Sequence, residues 1–278
     1  MIKDFQPEIG LIIRDDAMIK QFALKRVTVN TSYGPVNRCF YGEVYGVRVL
    51  LLYGRFNGQK VPSHDINHQQ NIEVFKNCGV KKLIGTFVVG GIQKKNPAGS
   101  VFVIDNMIGM GNYKINWDRN KSFHNAEMIT PFCEDLTNQL KLASQKMDFP
   151  VFQSATYVCF NGYPRIETSA ELDFYEKMGW DIVGQTLDPE ATIARLNGIC
   201  YGGVAVQIDD PNSRNKFVQD SKTNSEKKYV ETIKSCRART SKIIDRFLRD
   251  YKSNDCIVCC KLKRENLDFR EFPDEFYE

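Results

Sequence analysis

Five short stretches of this chain place groups that handle oxyanions or protons directly after apolar runs. Arg14-Asp15-Asp16 follows IGLII, Gly54-Arg55-Phe56-Asn57 follows VRVLLLY, and Gly90-Gly91 closes KLIGTFVV. The loop Asn161-Gly162-Tyr163-Pro164-Arg165-Ile166-Glu167 follows ATYVCF, and Asp209-Asp210 ends ICYGGVAVQI. An arginine just after a glycine turn offers a planar donor fork for an oxyanion. Paired glycines let backbone amides approach a ligand, or simply make a tight turn. A carboxylate at a strand end can accept or lend a proton to a leaving group, or only begin a loop. Asp15 and Asp16 read first as caps of the helix that follows. Thr168 or Ser169 caps the next helix with Glu171 in its first turn, which leaves Glu167 facing either a pocket or solvent.

Other chemistries find little support. His64, His68 and His124 pair with no nucleophile motif and show no metal-ligand spacing. Cys256 and Cys259 form one C-x-x-C with Cys260 beside it, without a second pair or a histidine close in sequence, so no metal ligands are assigned. The cysteine count, nine, is odd, and Cys39, Cys159 and Cys200 sit inside apolar runs, which reads as reduced, buried thiols.

The elements that position these stretches follow from periodicity. The apolar runs at 9–13, 47–53, 82–89, 101–104, 155–160 and 199–208 read as buried strands, and 65–78, 131–147, 169–178 and 189–196 have helical spacing. Alternation of the two implies an α/β domain around a mixed or mostly parallel sheet, with ligands gathered at the carboxyl ends of strands. VNRCFYGEVYGVRVLLLY reads as a hairpin turning at Tyr45-Gly46. Residues 210–227 read as a polar loop and 225–251 as a long basic helix laid on the sheet. A length of 278 residues, with 42% hydrophobic and 26% charged, suits one large globular domain and argues against disorder or a coiled coil. The mild net charge of +4, spread along the chain, gives nucleic-acid binding little support. Without an apolar run long enough for a signal peptide or a membrane span, a soluble cytoplasmic protein is expected.

Taken together, GRFN, VPSHDIN-x-x-x-NI, GVKKLIGTFVVGGI, GYPRIETSAE and GWDIVGQTLDPEA resemble, in order and approximate spacing, the purine nucleoside phosphorylase and methylthioadenosine phosphorylase family. The resemblance covers Glu8 to about Tyr251. It implies a single domain over 1–278, with a core at about 8–251 and a C-terminal tail at 252–278, built on a central mixed β-sheet, partly barrel-like, flanked by helices. It also implies a homotrimer. The implied activity is that of a pentosyltransferase of purine salvage: phosphorolysis of inosine, guanosine or methylthioadenosine to free base and pentose 1-phosphate. Inorganic phosphate is the co-substrate, and no cofactor or metal is needed.

Carried over by residue, the resemblance implies that Arg55, Asn57, Val88 and Thr186 bind phosphate. Asn57 replaces a histidine, and Phe87 replaces a polar neighbour. Asp15 falls where the family has the hydroxyl of a glycine-rich phosphate loop. Gln185 replaces a methionine that lies against the sugar. Glu167 matches the acceptor for the base N–H of 6-oxopurines, and Ile166 the residue stacked on the base. Asp209 matches the aspartate that methylthioadenosine enzymes set at the purine N7 edge, and Pro211, beside Asp210, stands where those enzymes have a second aspartate. The altered phosphate residues also leave open a catalytically impaired nucleoside-binding or interaction protein, and a hydrolase that uses water in place of phosphate.

Overall fold

Strands covered on both faces lose the usual alternation of apolar and polar residues, and the first strand does so fully. All five residues of β1 (Ile9–Ile13) are buried. The structure, a computed structural model, describes residues 2–56, 61–111, 126–160, 165–212, 225–254 and 256. Asn57, the loop residues 213–224 and Cys259 lie outside these.

A short helix α1 (Ile2–Phe5) precedes β1, and α2 (Asp16–Gln21) follows it. Next come β2 (Lys25–Thr31), β3 (Gly34–Val44) and β4 (Val47–Tyr53), paired antiparallel in sequence. Tyr45 and Gly46, both at positive φ, make the two-residue turn between β3 and β4. Helix α3 (His68–Asn77) leads into the core strand β5 (Lys82–Gly91), followed by β6 (Val101–Ile104) and β7 (Asn106–Gly109). Helix α4 (Glu134–Ser144), β8 (Val151–Phe152), β9 (Thr156–Cys159), α5 (Ser169–Lys177), β10 (Ile182–Gly184), α6 (Glu190–Leu196), β11 (Cys200–Gln207) and α7 (Ser225–Asp250) complete the order.

The sheet runs β2-β3-β4-β1-β5-β10-β9-β7, and β11 branches from β5 to carry β6 and β8. Strand β5 is therefore the hub. It lies parallel to β1 over Lys82–Gly85, parallel to β11 over Lys82–Val89, and antiparallel to β10 at Gly90 and Gly91. This exchange of neighbours along one strand opens the sheet near its carboxyl end, where loops can converge on a ligand. Helix α7 packs on α4, β5 and β11 through Cys236, Thr240, Ile243, Ile244, Phe247 and Leu248, a stripe at spacings of three and four. Among the described residues, no helix is long and apolar enough to cross a membrane.

Candidate active site

The strand-end stretches do meet, around the carboxyl half of β5. At its last residue, the Gly91 N–H donates to Asp209 Oδ1 at 2.8 Å. Asp209 Oδ2 lies 3.6 Å from where a side chain on Gly90 would begin. The buried Gln207 amide fixes this corner by donating to the carbonyls of Asn96 and Asp209, each at 2.8 Å. A Cβ on Gly91 would press on that amide and displace it from these two carbonyls. The paired glycines thus let a carboxylate close onto the strand end.

Glu167 faces the same space. Burial pushes its carboxyl above the ordinary 4.5, and the negative charges of Glu171 and Asp209 push it further. Its loop is anchored on both sides. Arg165 grips Glu171 with two bonds of 2.7 and 2.8 Å, and Thr168 and Glu171 form a reciprocal capping box at the start of α5. Ile166, beside Glu167, is 75% exposed and covers no part of the core. Gln185 is half-buried at the end of β10, and its Oε1 accepts the hydroxyl proton of Ser63. Ser63 belongs to the VPSHDIN stretch, so two distant motifs share this wall.

Three residues back along β5, about 10 Å at the rise of a strand, a cavity of about 200 Å³ is lined by Arg14, Arg55, Thr86, Phe87, Val88, Thr186, Arg237 and Thr240, among others. Three arginines and no carboxylate line it among the described residues. Arg237 and Thr240 come from α7, which the strand-end argument did not flag. Their only sequence signal was the basic character of that helix.

Asp15 takes the capping role that its place before a helix implies, and Arg55 has partners that no local pattern announces. Asp15 Oδ1 accepts from the Ala17 and Met18 N–H groups at 2.8 and 3.2 Å, so its carboxylate caps α2 and turns from the cavity. Unpaired N–H groups at a helix start attract a carboxylate strongly enough to settle its direction. Asp15 lines instead an outer cleft of about 1130 Å³ beside α7. Arg55 lines the small cavity, but Nε and Nη2 bind Glu190 at 2.6 and 2.8 Å and Nη1 binds the Thr86 carbonyl at 2.8 Å. Phe87, 3% exposed, lies over the guanidinium with its ring centre 4.2 Å away.

Glu190, the first residue of α6, was legible only as part of the DPEA stretch. It is fully buried and also accepts from the Tyr201 hydroxyl, with His68 Nδ1 at 3.6 Å. Burial opposes its ionisation, but Arg55 and His68 outweigh it and hold the carboxyl down at about 2. Gly85 makes room for this cluster: a Cβ there would lie 2.2 Å from the Tyr201 hydroxyl oxygen. The backbone of Arg55 is held as firmly, because its carbonyl accepts from Asn71 Nδ2 at 2.9 Å and from Arg38 Nη2 at 3.3 Å. Thr186 lies beside the buried Tyr157 hydroxyl, and Val88 pairs in register with Val206.

The model of the phosphorylase superfamily matches residues 8–249. The chain belongs to this superfamily, in the branch that contains purine nucleoside and methylthioadenosine phosphorylases. It is 33% identical over 218 residues, 76% of this chain and 81% of the relative, to a probable S-methyl-5'-thioinosine phosphorylase of Thermodesulfovibrio yellowstonii. It is 28% identical over 269 residues, 93% and 97% of the two chains, to an S-methyl-5'-thioadenosine phosphorylase of Nitrosopumilus maritimus. A crystal structure of a mutant adenosine/methylthioadenosine phosphorylase of Schistosoma mansoni, in complex with tubercidin, shares the fold. Its TM-score is 0.77 at 21% identity, covering 94% of this chain and 98% of that one.

Proposed function

We propose that this chain is a purine nucleoside phosphorylase that acts on 6-oxopurine nucleosides ahead of methylthioadenosine. The observation that carries the reading is the pairing of two subsites along one strand: an arginine-lined cavity at Thr86–Val88 and two carboxylates, Glu167 and Asp209, by Gly90 and Gly91. A nucleoside spanning them would set its anomeric carbon between an anion and a proton-handling group. As the glycosidic bond breaks, the sugar becomes cationic in character, and bound phosphate supplies the attacking oxygen and compensating charge. The departing purine gains charge at N7, and Asp209 hands it a proton in this reading. Glu167 in its ionised form accepts the N1–H that only 6-oxopurines carry, and Ile166 lies along the base. Ser63 and Gln185 form the ribose wall. Purine salvage as a cytoplasmic homotrimer completes the proposal.

Arg55 is largely neutralised by Glu190, so much of the grip on phosphate falls to Arg14 and Arg237, with Thr186 and the backbone at Val88. Asn57 is proposed as a further donor on sequence grounds. Replacing Arg237 with Ala should raise the KM for phosphate about tenfold or more, as expected for a charge-assisted hydrogen bond, with the KM for nucleoside unchanged. Steady-state kinetics with phosphate varied at saturating nucleoside checks this; an unchanged phosphate KM would remove Arg237 from the site.

The pH profile carries the second expectation. Because burial raises Glu167, the protonation that disables base recognition sets in at higher pH than for an ordinary glutamate. The acid limb of kcat/KM for inosine should therefore lie above 4.5 and should vanish in Glu167→Gln. A panel of inosine, guanosine, adenosine and methylthioadenosine, assayed with phosphate, tests the substrate assignment. Preference for the two 6-oxopurines supports it, and preference for methylthioadenosine moves the assignment to the 6-amino class. One observation, the Phe87 ring closed over Arg55, favours a second reading in which water replaces phosphate as the attacking group.

A further inference from the structure

Far from this site, three chain segments bring three thiols together. Cys133 precedes α4, Cys200 opens β11, and Cys256 follows the end of α7. Their Sγ atoms all lie within 4.8 Å of one another, and Cys133 and Cys256 are 3.6 Å apart. Cys133 and Cys200 are 0% and 2% exposed, and Cys256 is half-buried at the edge of the same core. We propose that Cys133, Cys200 and Cys256 form a structural binding site for a soft divalent cation of the zinc class, which fastens the segment after α7 to α4 and β11.

The distances fit one shared centre. Thiolates bind zinc at about 2.3 Å in a tetrahedral arrangement, which sets sulfur atoms about 3.8 Å apart. A disulfide needs about 2.05 Å and joins only two sulfurs, whereas three thiols here converge on one point. The backbone holds them ready: the Cys133 N–H donates to the Tyr201 carbonyl and the Cys200 N–H to that of Lys81, each at 2.8 Å. The segment that brings in Cys256 is tied to α4, because Gln139 accepts from the Lys252 N–H at 3.1 Å and donates to its carbonyl at 3.2 Å.

The electrostatics suit anionic sulfur. Cys133 is the N-cap of an eleven-residue helix and makes no side-chain capping bond, so its thiolate would face a helix start, where negative charge is favoured. Binding releases three thiol protons to solvent. A water completes the tetrahedron. The C-x-x-C at Cys256 lacks a second pair in the sequence, and the fold provides its counterpart from positions 56 and 123 residues earlier.

The test uses the full chain purified in reductant without chelator. Metal analysis together with native mass spectrometry should find one zinc ion per chain, and a cobalt-substituted sample should show a thiolate-to-cobalt charge-transfer band. Cys133→Ser and Cys200→Ser should lose the metal. Cys256→Ser, in a less buried segment that keeps the fold, should lose it too while retaining the circular dichroism of the parent. Parent protein without zinc even after titration with zinc chloride, its three thiols free to alkylation, would overturn the site. So would a disulfide between any two of them in protein alkylated before reduction. Neither readout depends on phosphorolysis.

Discussion

Asp209→Ala lowers kcat/KM for nucleoside cleavage by about a hundredfold to ten-thousandfold, the range for loss of a positioned proton donor. The expectation follows from how the carboxylate is mounted. Its Oδ1 is held by the Gly91 N–H, and its backbone carbonyl by Gln207. It is thus fixed at the strand end and not free to swing in a loop. Asp209→Asn separates two roles. The amide keeps an oxygen for Gly91 and a donor for N7 but has no proton to give up. The ratio of kcat/KM for inosine over methylthioadenosine should then rise, because the 6-amino base depends more on full protonation at N7. Initial rates of both variants with both nucleosides check this. Activity of Asp209→Ala within threefold of the parent would show that this carboxylate does not serve the leaving group.

The second large effect is on stability. Glu190→Gln should destabilise the fold by about 3–5 kcal/mol, because it leaves the Arg55 guanidinium buried without its counter-charge. Two bonds from Arg55, one from Tyr201 and the approach of His68 converge on this one carboxylate. The same pair sets an acid dependence. Glu190 is held at about 2 in the fold against an ordinary 4.5, so the unfolded chain binds its proton first as pH falls. Its contribution is complete above about pH 4.5 and is lost progressively toward pH 2. Denaturant titrations of the two proteins at neutral pH and through the acid range measure both effects. The difference between them should shrink as the parent loses the pair. A double replacement, Arg55→Met with Glu190→Gln, should recover part of the loss, since no charge is then stranded.

Strands β1, β4 and β6 and helices α3 to α7 were legible because local periodicity is what burial on one face or two imposes. The Thr168 to Glu171 capping box was legible for the same reason: its partners lie three residues apart. Strand β2 was not. KRVTVNT is half polar and bulged between Val27 and Val29, and only pairing with β3 makes it a strand. Strand β10, three residues long, exists because Gly90 and Gly91 of β5 pair with it. The site divides along the same line. Asp209 and Glu167 are legible as candidates from their places after strands. The partnership of Arg55 with Glu190 spans 135 residues and leaves no local pattern. Arg237 enters the cavity from a helix that reads in sequence only as basic and laid on the sheet. The helix start that captures Asp15 lies next to it in sequence, which is why the cap was readable there while its consequence for the anion site was not.

Phosphate, held among Arg14, Arg237 and Thr186, is the proposed nucleophile. Purified protein incubated with inosine, with and without inorganic phosphate, tests it most directly when base and sugar products are both identified. Hypoxanthine and ribose 1-phosphate in equal amounts, formed only when phosphate is present, is the expected result. Hypoxanthine with free ribose at a rate indifferent to phosphate, or no release from any purine nucleoside while one still binds, would contradict it.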